Sequence, residues 1–165
     1  MHGNNEIGNL TDLERVGSIC KEHNAIFHSD TIQTIGHFVH NLSKINIQSI
    51  VGSAHKFHGP KGVGFLYISN NHKIPPYIMG GSQERNMRGG TENVSGIIGL
   101  AKALEIAAEE MQETKKHIMN LKSKMIELLS SMGAEMTVNE DMDFWTSLGT
   151  ARVTNPTPDL SLIHI

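Results

Sequence analysis

The sequence lacks most of the features that mark secreted, membrane-spanning and nucleic-acid-binding proteins. It has one cysteine in 165 residues, which excludes an internal disulfide and makes a cytoplasmic or organellar-matrix setting the expectation. No run of about 18 apolar residues occurs, so no membrane-spanning helix is predicted. The formal net charge of -3 at pH 7 leaves no basic excess for binding nucleic acid or an acidic membrane. The opening residues also lack the basic start and apolar stretch of a secretory signal.

What is present is the composition of an ordinary globular domain, with 38% hydrophobic and 19% charged residues. A first helix is predicted by the capping pattern of Thr11 and Glu14, whose side chains would satisfy free N–H groups at the helix start. One apolar face would follow along this helix, made of Leu13, Val16 and Cys20. Asn24 is a plausible left-handed residue at its end.

Three apolar runs predict strands. They cover residues 25–30, 47–51 and 63–68, and the last two are bounded by glycine-rich or asparagine-rich turns. Because a helix precedes the first run and strands and helices alternate further on, the sequence favours an α/β layered fold.

The second half of the chain is predicted to be a loop followed by a long helical region. Residues 79–93 are glycine-rich and charged without periodicity, and such long loops are usually functional or disordered. Residues 94–132 have helical periodicity, but that length favours two helices or a kinked one. Gly133 would end the helical region, and Glu135 to Val138 would form a further strand. The helical stripe consists of Ile97, Leu100, Ala101, Leu104, Ala107, Ala108, Met111, Ile118, Leu121, Met125, Leu128 and Leu129.

The segment from Ser53 to Gly62, SAHKFHGPKG, is the one most indicative of chemistry. Lys56 follows an apolar strand and lies in a turn, where a lysine amine can be positioned and desolvated for attack on an aldehyde. Ser53 and His55 supply a hydroxyl and a ring N–H that suit a phosphate. Spacing alone favours the simpler interpretation, in which Lys56 is a solvated loop lysine and His55 a turn histidine.

Three further segments are candidates for ligand binding. Asp30 falls where the first strand ends, at the edge where open α/β sheets bind ligands, although an aspartate there can also cap a turn. Gln33 follows three residues later. Asn5 lies in the stretch NNEIG, which can also be a simple turn. Thr91 lies in RGGTEN, where it could either cap the next helix or present its hydroxyl to a phosphate.

Taken together and in order, these segments resemble the cysteine desulfurase branch of the class V aminotransferase-like enzymes. The matching stretches are NNEIG, HSDxxQ, SAHKFHGPKGVG and GGSQER followed by RGGTENV, and the resemblance covers roughly residues 1 to 130. Four ordered motifs are far more specific than one short match. The resemblance implies the pyridoxal-phosphate-dependent transferase fold of type I.

The resemblance also implies a role for each candidate residue. Lys56 would be the catalytic lysine that binds the aldehyde of pyridoxal 5'-phosphate. Asp30 would bind the pyridine nitrogen, and Asn5 and Gln33 would contact the side of the phenolic oxygen. Ser53 and His55 would hold the phosphate of the cofactor. Thr91 would reach the phosphate bound by the partner subunit, which implies a homodimer.

The implied reaction converts L-cysteine to L-alanine and an enzyme persulfide, whose sulfur passes to an acceptor or scaffold protein, as in iron–sulfur cluster assembly. In the family a cysteine on a late mobile loop forms the persulfide, and Cys20 lies too early and on an apolar helix face to be that residue. The chain is therefore expected to be a fragment and inactive alone, with a tail from about Asn155 to Ile165 that is atypical of the family. Selenocysteine lyase, or a non-catalytic fragment, is the alternative function.

The expected division of the chain is in three parts. Residues 1–93 would belong to the large cofactor-binding domain, with a mostly parallel sheet and flanking helices. Residues 94–132 would form a long helical link, and residues 133–165 part of the small C-terminal domain. The three-residue spacings of His37 with His40 and of His55 with His58 would suit a metal on one helical face. Zinc sites, however, need Cys or carboxylate ligands at set spacings, and Gly59 and Pro60 directly after His58 argue against a helix there, so no metal is predicted.

Overall fold

The computed structural model describes residues 1–6 and 8–133, together with the backbone of the three strands in 135–138, 150–154 and 163–164. Ile7 of the predicted NNEIG segment lies outside the described residues. Most of the predicted atypical tail lies outside them too, apart from the backbone of residues 163–164.

The first helix, α1, covers Leu13–Glu22, and its start differs by one residue from the predicted capping box. Asp12, not Thr11, is the N-cap, and its carboxylate accepts a hydrogen bond from the Arg15 N–H at 2.9 Å. The Thr11 hydroxyl instead donates to the carbonyl of Met1 at 3.1 Å. Asn24 adopts the left-handed backbone predicted for the helix end, with φ of 51°.

A three-stranded sheet follows, and its strands lie side by side in chain order. Its strands are β1 (His28–Asp30), β2 (Ser49–Ser53) and β3 (Gly64–Ile68). β1 and β2 are parallel, and β2 and β3 are antiparallel. The α/β class is confirmed, but the expectation of a mostly parallel sheet is wrong for this part, which is mixed. The connection from β2 to β3 is too short for a parallel crossover, which needs about a dozen residues or more.

A long helix packs against the turn that follows β2 and against the core. α3 is one continuous helix, Val94–Ser131, so the prediction of two helices or a kinked one was wrong. No proline interrupts it and its only glycines lie in the first two turns, so the usual causes of a kink are absent from its sequence. Its 38 residues give a length of about 57 Å at ~1.5 Å per residue. Gly133 follows its end with φ of 72°, as predicted.

The core lies between α1, the sheet and the first half of α3. Phe57 and Ile50 are among its most buried side chains, with exposed fractions of 1% and 2%. The stripe predicted on α3 was partly right, because Leu100, Leu104 and Ala107 pack on the core, whereas Ala101 and Ala108 are exposed. The buried hydrophobic residues are Leu13, Phe27, Ile35, Ile47, Ile50, Ala54 and Phe57.

Residues 79–93 form the predicted loop, with one short helical element, α2 (Gln83–Asn86). Beyond α3, β4 (Glu135–Val138) forms as predicted and pairs antiparallel with β5 (Thr150–Thr154), which pairs with β6 (Ile163–His164). The expected domain limits fall near the ends of α3, but the division into three parts stays a prediction. None of the described helices combines the length and apolar character of a membrane span.

A small polar cluster joins the opening segment to the β1–β2 connection. The His2 Nδ1 atom lies 2.9 Å from the Thr34 hydroxyl and 3.0 Å from His40 Nε2, and the Thr34 side chain is fully buried. His40 Nδ1 lies 3.0 Å from the Phe38 carbonyl and must donate to it, so a neutral His40 ring accepts through Nε2. Both histidines therefore fit this cluster in their neutral forms.

We expect this cluster to make the fold less stable in mild acid. Burial, the adjacent His40 ring and the amino terminus lower the pKa of His2 from 6.5 to about 4, and burial lowers the pKa of His40. In the unfolded chain both rings titrate at about 6.5, so the unfolded state binds more protons below that pH. The stabilisation is complete above about pH 6.5 and is lost as the pH falls toward about 4.

Urea unfolding at about pH 7.5 and about pH 5.5 measures this loss. The wild-type chain should lose more unfolding free energy between the two values than a variant with both His2→Gln and His40→Gln. Equal losses in the two proteins would contradict the assignment of the pH dependence to this cluster.

Candidate cofactor site

The parallel pairing of β1 and β2 brings the ends of both strands to one edge of the sheet. Asp30, the last residue of β1, pairs with Val51, and β2 continues for two residues to Ser53. Because parallel strands run in the same direction, the residues after Asp30 and after Ser53 leave the sheet on the same side. Two of the predicted site segments therefore meet at this edge.

Lys56 lies in a tight turn directly after β2. Ala54 to Phe57 form a 3₁₀ helix, closed by a left-handed His58 with φ of 65° and by the Gly59 N–H, which donates to the Ala54 carbonyl at 2.8 Å. Ala54 and Phe57 are buried, while Lys56 is half-buried. In the part of the chain that the structure describes, no carboxylate forms an ion pair with the Lys56 amine. A turn with two buried side chains thus holds an amine that remains open to a ligand.

Ser53 and His55 form a donor pair beside this lysine. The Ser53 hydroxyl and His55 Nδ1 lie 2.9 Å apart, and the His55 ring is exposed. A hydroxyl and an imidazole N–H at this spacing can together bind the oxygens of an anion.

Asp30 both caps a turn and keeps one carboxylate oxygen for another partner. Its Oδ1 accepts from the Ile32 N–H at 2.9 Å, which is the turn-capping role that the sequence left open. No hydrogen bond to Oδ2 occurs among the residues that the structure describes. Gln33 lies half-buried in the turn that follows, on the same side of the sheet. The second oxygen of the Asp30 carboxylate can therefore still accept a hydrogen bond from a protonated nitrogen of a ligand.

Asn5 lies in the opening segment, which the structure links to the end of β1. The His2 N–H donates to the Asp30 carbonyl at 2.7 Å, so this segment runs alongside the site edge. Asn5 itself is exposed, and its Nδ2 donates to the Glu6 carboxylate at 2.8 Å. Its assignment to the cofactor stays a prediction.

Thr91 is not brought to this edge by any contact within the described residues. It is exposed and lies two residues before Asn93, which is the N-cap of α3 and accepts from the Gly96 N–H at 3.1 Å. The alternative in which Thr91 caps the helix is therefore wrong. A role toward a cofactor bound by a partner subunit remains a prediction.

His37 and His40, considered from the sequence as a metal pair, bond to different groups. His37 Nε2 lies 3.1 Å from the carbonyl oxygen of Lys56, whereas the His40 ring contacts Thr34 and His2. Among the described residues no group of three potential metal ligands occurs. No motif in the sequence predicts the contact of His37 with the lysine turn, although the preceding glycine is compatible with a close approach of two loops.

That glycine, Gly36, allows a close approach between two loops. Its φ is +84°, and a Cβ there would lie 2.6 Å from Phe57 Cβ and 3.5 Å from Ala107 Cβ. The connection after β1 therefore packs directly on the lysine turn and on α3, with no room for a side chain at position 36.

A family model and individual relatives of known sequence assign the chain to one family. The model of the aminotransferase class-V family matches residues 1–148. The chain is 45% identical to the cysteine desulfurase IscS of Clostridium botulinum (strain Hall) over 143 residues, which is 87% of this chain and 36% of that protein. The chain thus spans about a third of the length of such curated relatives.

Solved structures have the same fold. A NifS-like protein, 41% identical, superposes with a TM-score of 0.84 over 93% of this chain and 42% of its own. A structure described as SspA in complex with cysteine is 28% identical, with a TM-score of 0.74 over 93% of this chain and 42% of its own. These neighbours confirm the predicted fold type for the part of the chain they cover.

We expect Gly36→Ala to destabilise the protein more than Gly62→Ala does. Both glycines have a left-handed φ, +84° and +81°, but a Cβ at Gly62 would meet nothing within 4 Å. Backbone strain alone should cost about 1–2 kcal/mol at Gly62. The clash with Phe57 should add about 1–3 kcal/mol at Gly36. Urea unfolding of both variants measures the difference, and equal free energies of unfolding would mean that the loop does not pack on the lysine turn as described.

Proposed function

Because the chain belongs to the aminotransferase class V family, we propose that it forms the lysine-bearing part of a pyridoxal-phosphate-dependent cysteine desulfurase. The single observation that carries this proposal is the position of Lys56, on a turn after β2 and beside the end of the parallel strand that carries Asp30. The relatives named cysteine desulfurases support this reading over selenocysteine lyase.

The donor set fits pyridoxal phosphate in its chemistry. An amine without an ion-pair partner among the described residues suits an aldehyde, and a carboxylate oxygen open to a donor suits a protonated ring nitrogen. The exposed pair of Ser53 and His55 suits a phosphate. We propose that Lys56, Asp30, Ser53 and His55 hold the cofactor, and that Asn5 and Gln33 contact its phenolic oxygen side.

When bound, pyridoxal phosphate supplies an electron sink for the bonds at the substrate Cα. The Asp30 carboxylate would keep a proton on the ring nitrogen, which strengthens that withdrawal. The Lys56 Nζ atom would hold and return the proton of the substrate Cα. The turn that carries Lys56 rests on two buried side chains, so the amine starts from a fixed backbone.

The proposed substrate is L-cysteine, and the products are L-alanine and a sulfur atom passed to an acceptor or scaffold protein. A solved relative named as a complex with cysteine supports this substrate class. We propose a homodimer in which Thr91 reaches the cofactor phosphate of the partner subunit, because Thr91 lies on the surface of its own chain. Iron–sulfur cluster assembly and a cytoplasmic setting are parts of the same proposal.

Cys20 is not proposed as the sulfur-carrying residue. It is half-buried on α1 and packs against the core.

The proposal predicts selective reaction of Lys56 with the cofactor. Purified chain treated with pyridoxal phosphate and borohydride should acquire the label mainly at Lys56, since its turn adjoins the donors for ring and phosphate. Peptide mass spectrometry measures the distribution of label. Lys61, exposed five residues later, is the internal reference.

Lys56→Ala is the matched control, and its total labelling should fall to the level of the scattered surface lysines. Uniform labelling of Lys56 and Lys61 in the wild-type chain would contradict the proposed cofactor site.

Asp30→Asn should weaken cofactor binding while leaving the turn cap in place. The amide keeps an oxygen for the Ile32 N–H but cannot stabilise a protonated ring nitrogen, so the dissociation constant should rise by about tenfold, as expected for a hydrogen bond to a charged group. Absorbance titration with pyridoxal phosphate measures it. An unchanged dissociation constant, with an unchanged melting temperature, would remove Asp30 from the proposed site.

A further inference from the structure

We propose that His37 is a positioning residue for Lys56, holding the backbone of the lysine turn against the connection that carries Asp30 and Gln33. This inference rests on the proposed function, because it concerns the amine that the cofactor would occupy. His37 is not assigned to the cofactor, and its ring is directed at the main chain of the lysine.

The first observation is the hydrogen bond itself. His37 Nε2 lies 3.1 Å from the Lys56 carbonyl oxygen. A carbonyl can only accept, so Nε2 must carry the proton in this contact. The bond joins two segments that are 19 residues apart in sequence, and it reaches the peptide unit directly after the Lys56 Cα.

The second observation is the packing beside this bond. Gly36, with its left-handed φ, brings the connection so close to Phe57 that a Cβ would lie 2.6 Å from Phe57 Cβ. Phe57 follows Lys56 directly and is 1% exposed. The contact at Gly36 therefore brings the next residue, His37, beside the turn, and the buried Phe57 anchors the turn in the core.

The third observation is that the same connection is fixed to the sheet. The buried Thr31 donates its hydroxyl to the Val51 carbonyl at 2.6 Å, and the buried Thr34 contacts the Thr31 carbonyl at 3.2 Å. Thr31 follows Asp30 directly. Contacts thus run from Thr31, the residue after Asp30, through the connection, to the carbonyl of the lysine.

These contacts limit the positions that the Lys56 amine can take relative to the Asp30 carboxylate. The Lys56 side chain is long and half-buried, so the range of positions open to Nζ depends on how firmly its backbone is held. Without the His37 bond the turn would keep its buried side chains but lose one restraint at Lys56. The amine would then meet a cofactor bound at Asp30 less often in a productive position.

The test is the labelling rate of Lys56 by pyridoxal phosphate and cyanoborohydride in His37 variants of this chain. His37→Ala removes the donor and should lower the Lys56 rate by about fivefold, the effect of losing one hydrogen bond, with the Lys61 rate unchanged. His37→Gln keeps a side-chain N–H and should restore the rate to within about twofold of wild type.

The matched control is His28→Ala. The His28 ring, like that of His37, makes a hydrogen bond to a distant segment, since its Nδ1 lies 2.8 Å from the Ser49 hydroxyl on β2. It has no hydrogen bond to the lysine turn among the described residues. The rate of Lys56 labelling in the His28→Ala variant should equal the rate in the wild-type chain. A role in overall stability alone would not change the ratio of Lys56 to Lys61 labelling in proteins that are folded at the assay temperature.

If His37→Ala does not fold, His37→Leu and His37→Gln provide a pair of similar volume that differ in the donor, and the leucine variant should label slowly. Selective labelling at Lys56 with equal rates in wild type and in the donor-free variant would overturn the positioning role and leave the proposed function standing. Loss of selectivity in the wild-type chain would instead contradict the proposed function and the inference that rests on it.

Discussion

The parallel pairing of β1 with β2 is the constraint on which the candidate site depends. Asp30 ends one strand and Ser53 the next, and their register leaves both at one edge of the sheet. If the strands were antiparallel, the residues after Asp30 and after Ser53 would leave at opposite ends, and the carboxylate and the lysine could not serve one ligand. In the mixed sheet, the one parallel pair, β1 with β2, provides this arrangement. The connection from β2 to β3 is too short for a parallel crossover, so β3 pairs antiparallel with β2.

Close backbone packing then fixes the lysine turn from two sides. Gly36 brings the β1–β2 connection onto Phe57. On the other side, a Cβ at Gly59 would lie 2.8 Å from Ala54 Cβ and 3.2 Å from Ala103 Cβ, so Gly59 lets the turn lie against α3. Lys56 therefore projects from a segment whose neighbours are held by tertiary contacts, although the turn itself is only a single 3₁₀ element.

Local pattern and tertiary packing contributed differently to the predictions. The strands after α1, the glycine-rich loop and the end of α3 at Gly133 follow from apolar runs and turn residues, and they formed close to where the sequence placed them. The cap of α1 was wrong by one residue because Asp12 also suits an N-cap and accepts from the Arg15 N–H, while the Thr11 hydroxyl bonds to the Met1 carbonyl. The kink in α3 was wrong because helix length alone does not break a helix that lacks an internal proline.

The sequence by itself determined the order of the motifs and the family, and it singled out Lys56, Asp30, Ser53 and His55 as candidate site residues. These depend on local patterns that can be read along the chain. Tertiary structure alone decided that His37 bonds to the lysine turn while His40 joins His2 and Thr34. Spacing made these two histidines look like one site. The physical reason is that hydrogen bonds between residues far apart in sequence depend on where loops pack, and that packing is set by the sheet register and by a glycine contact no local pattern encodes.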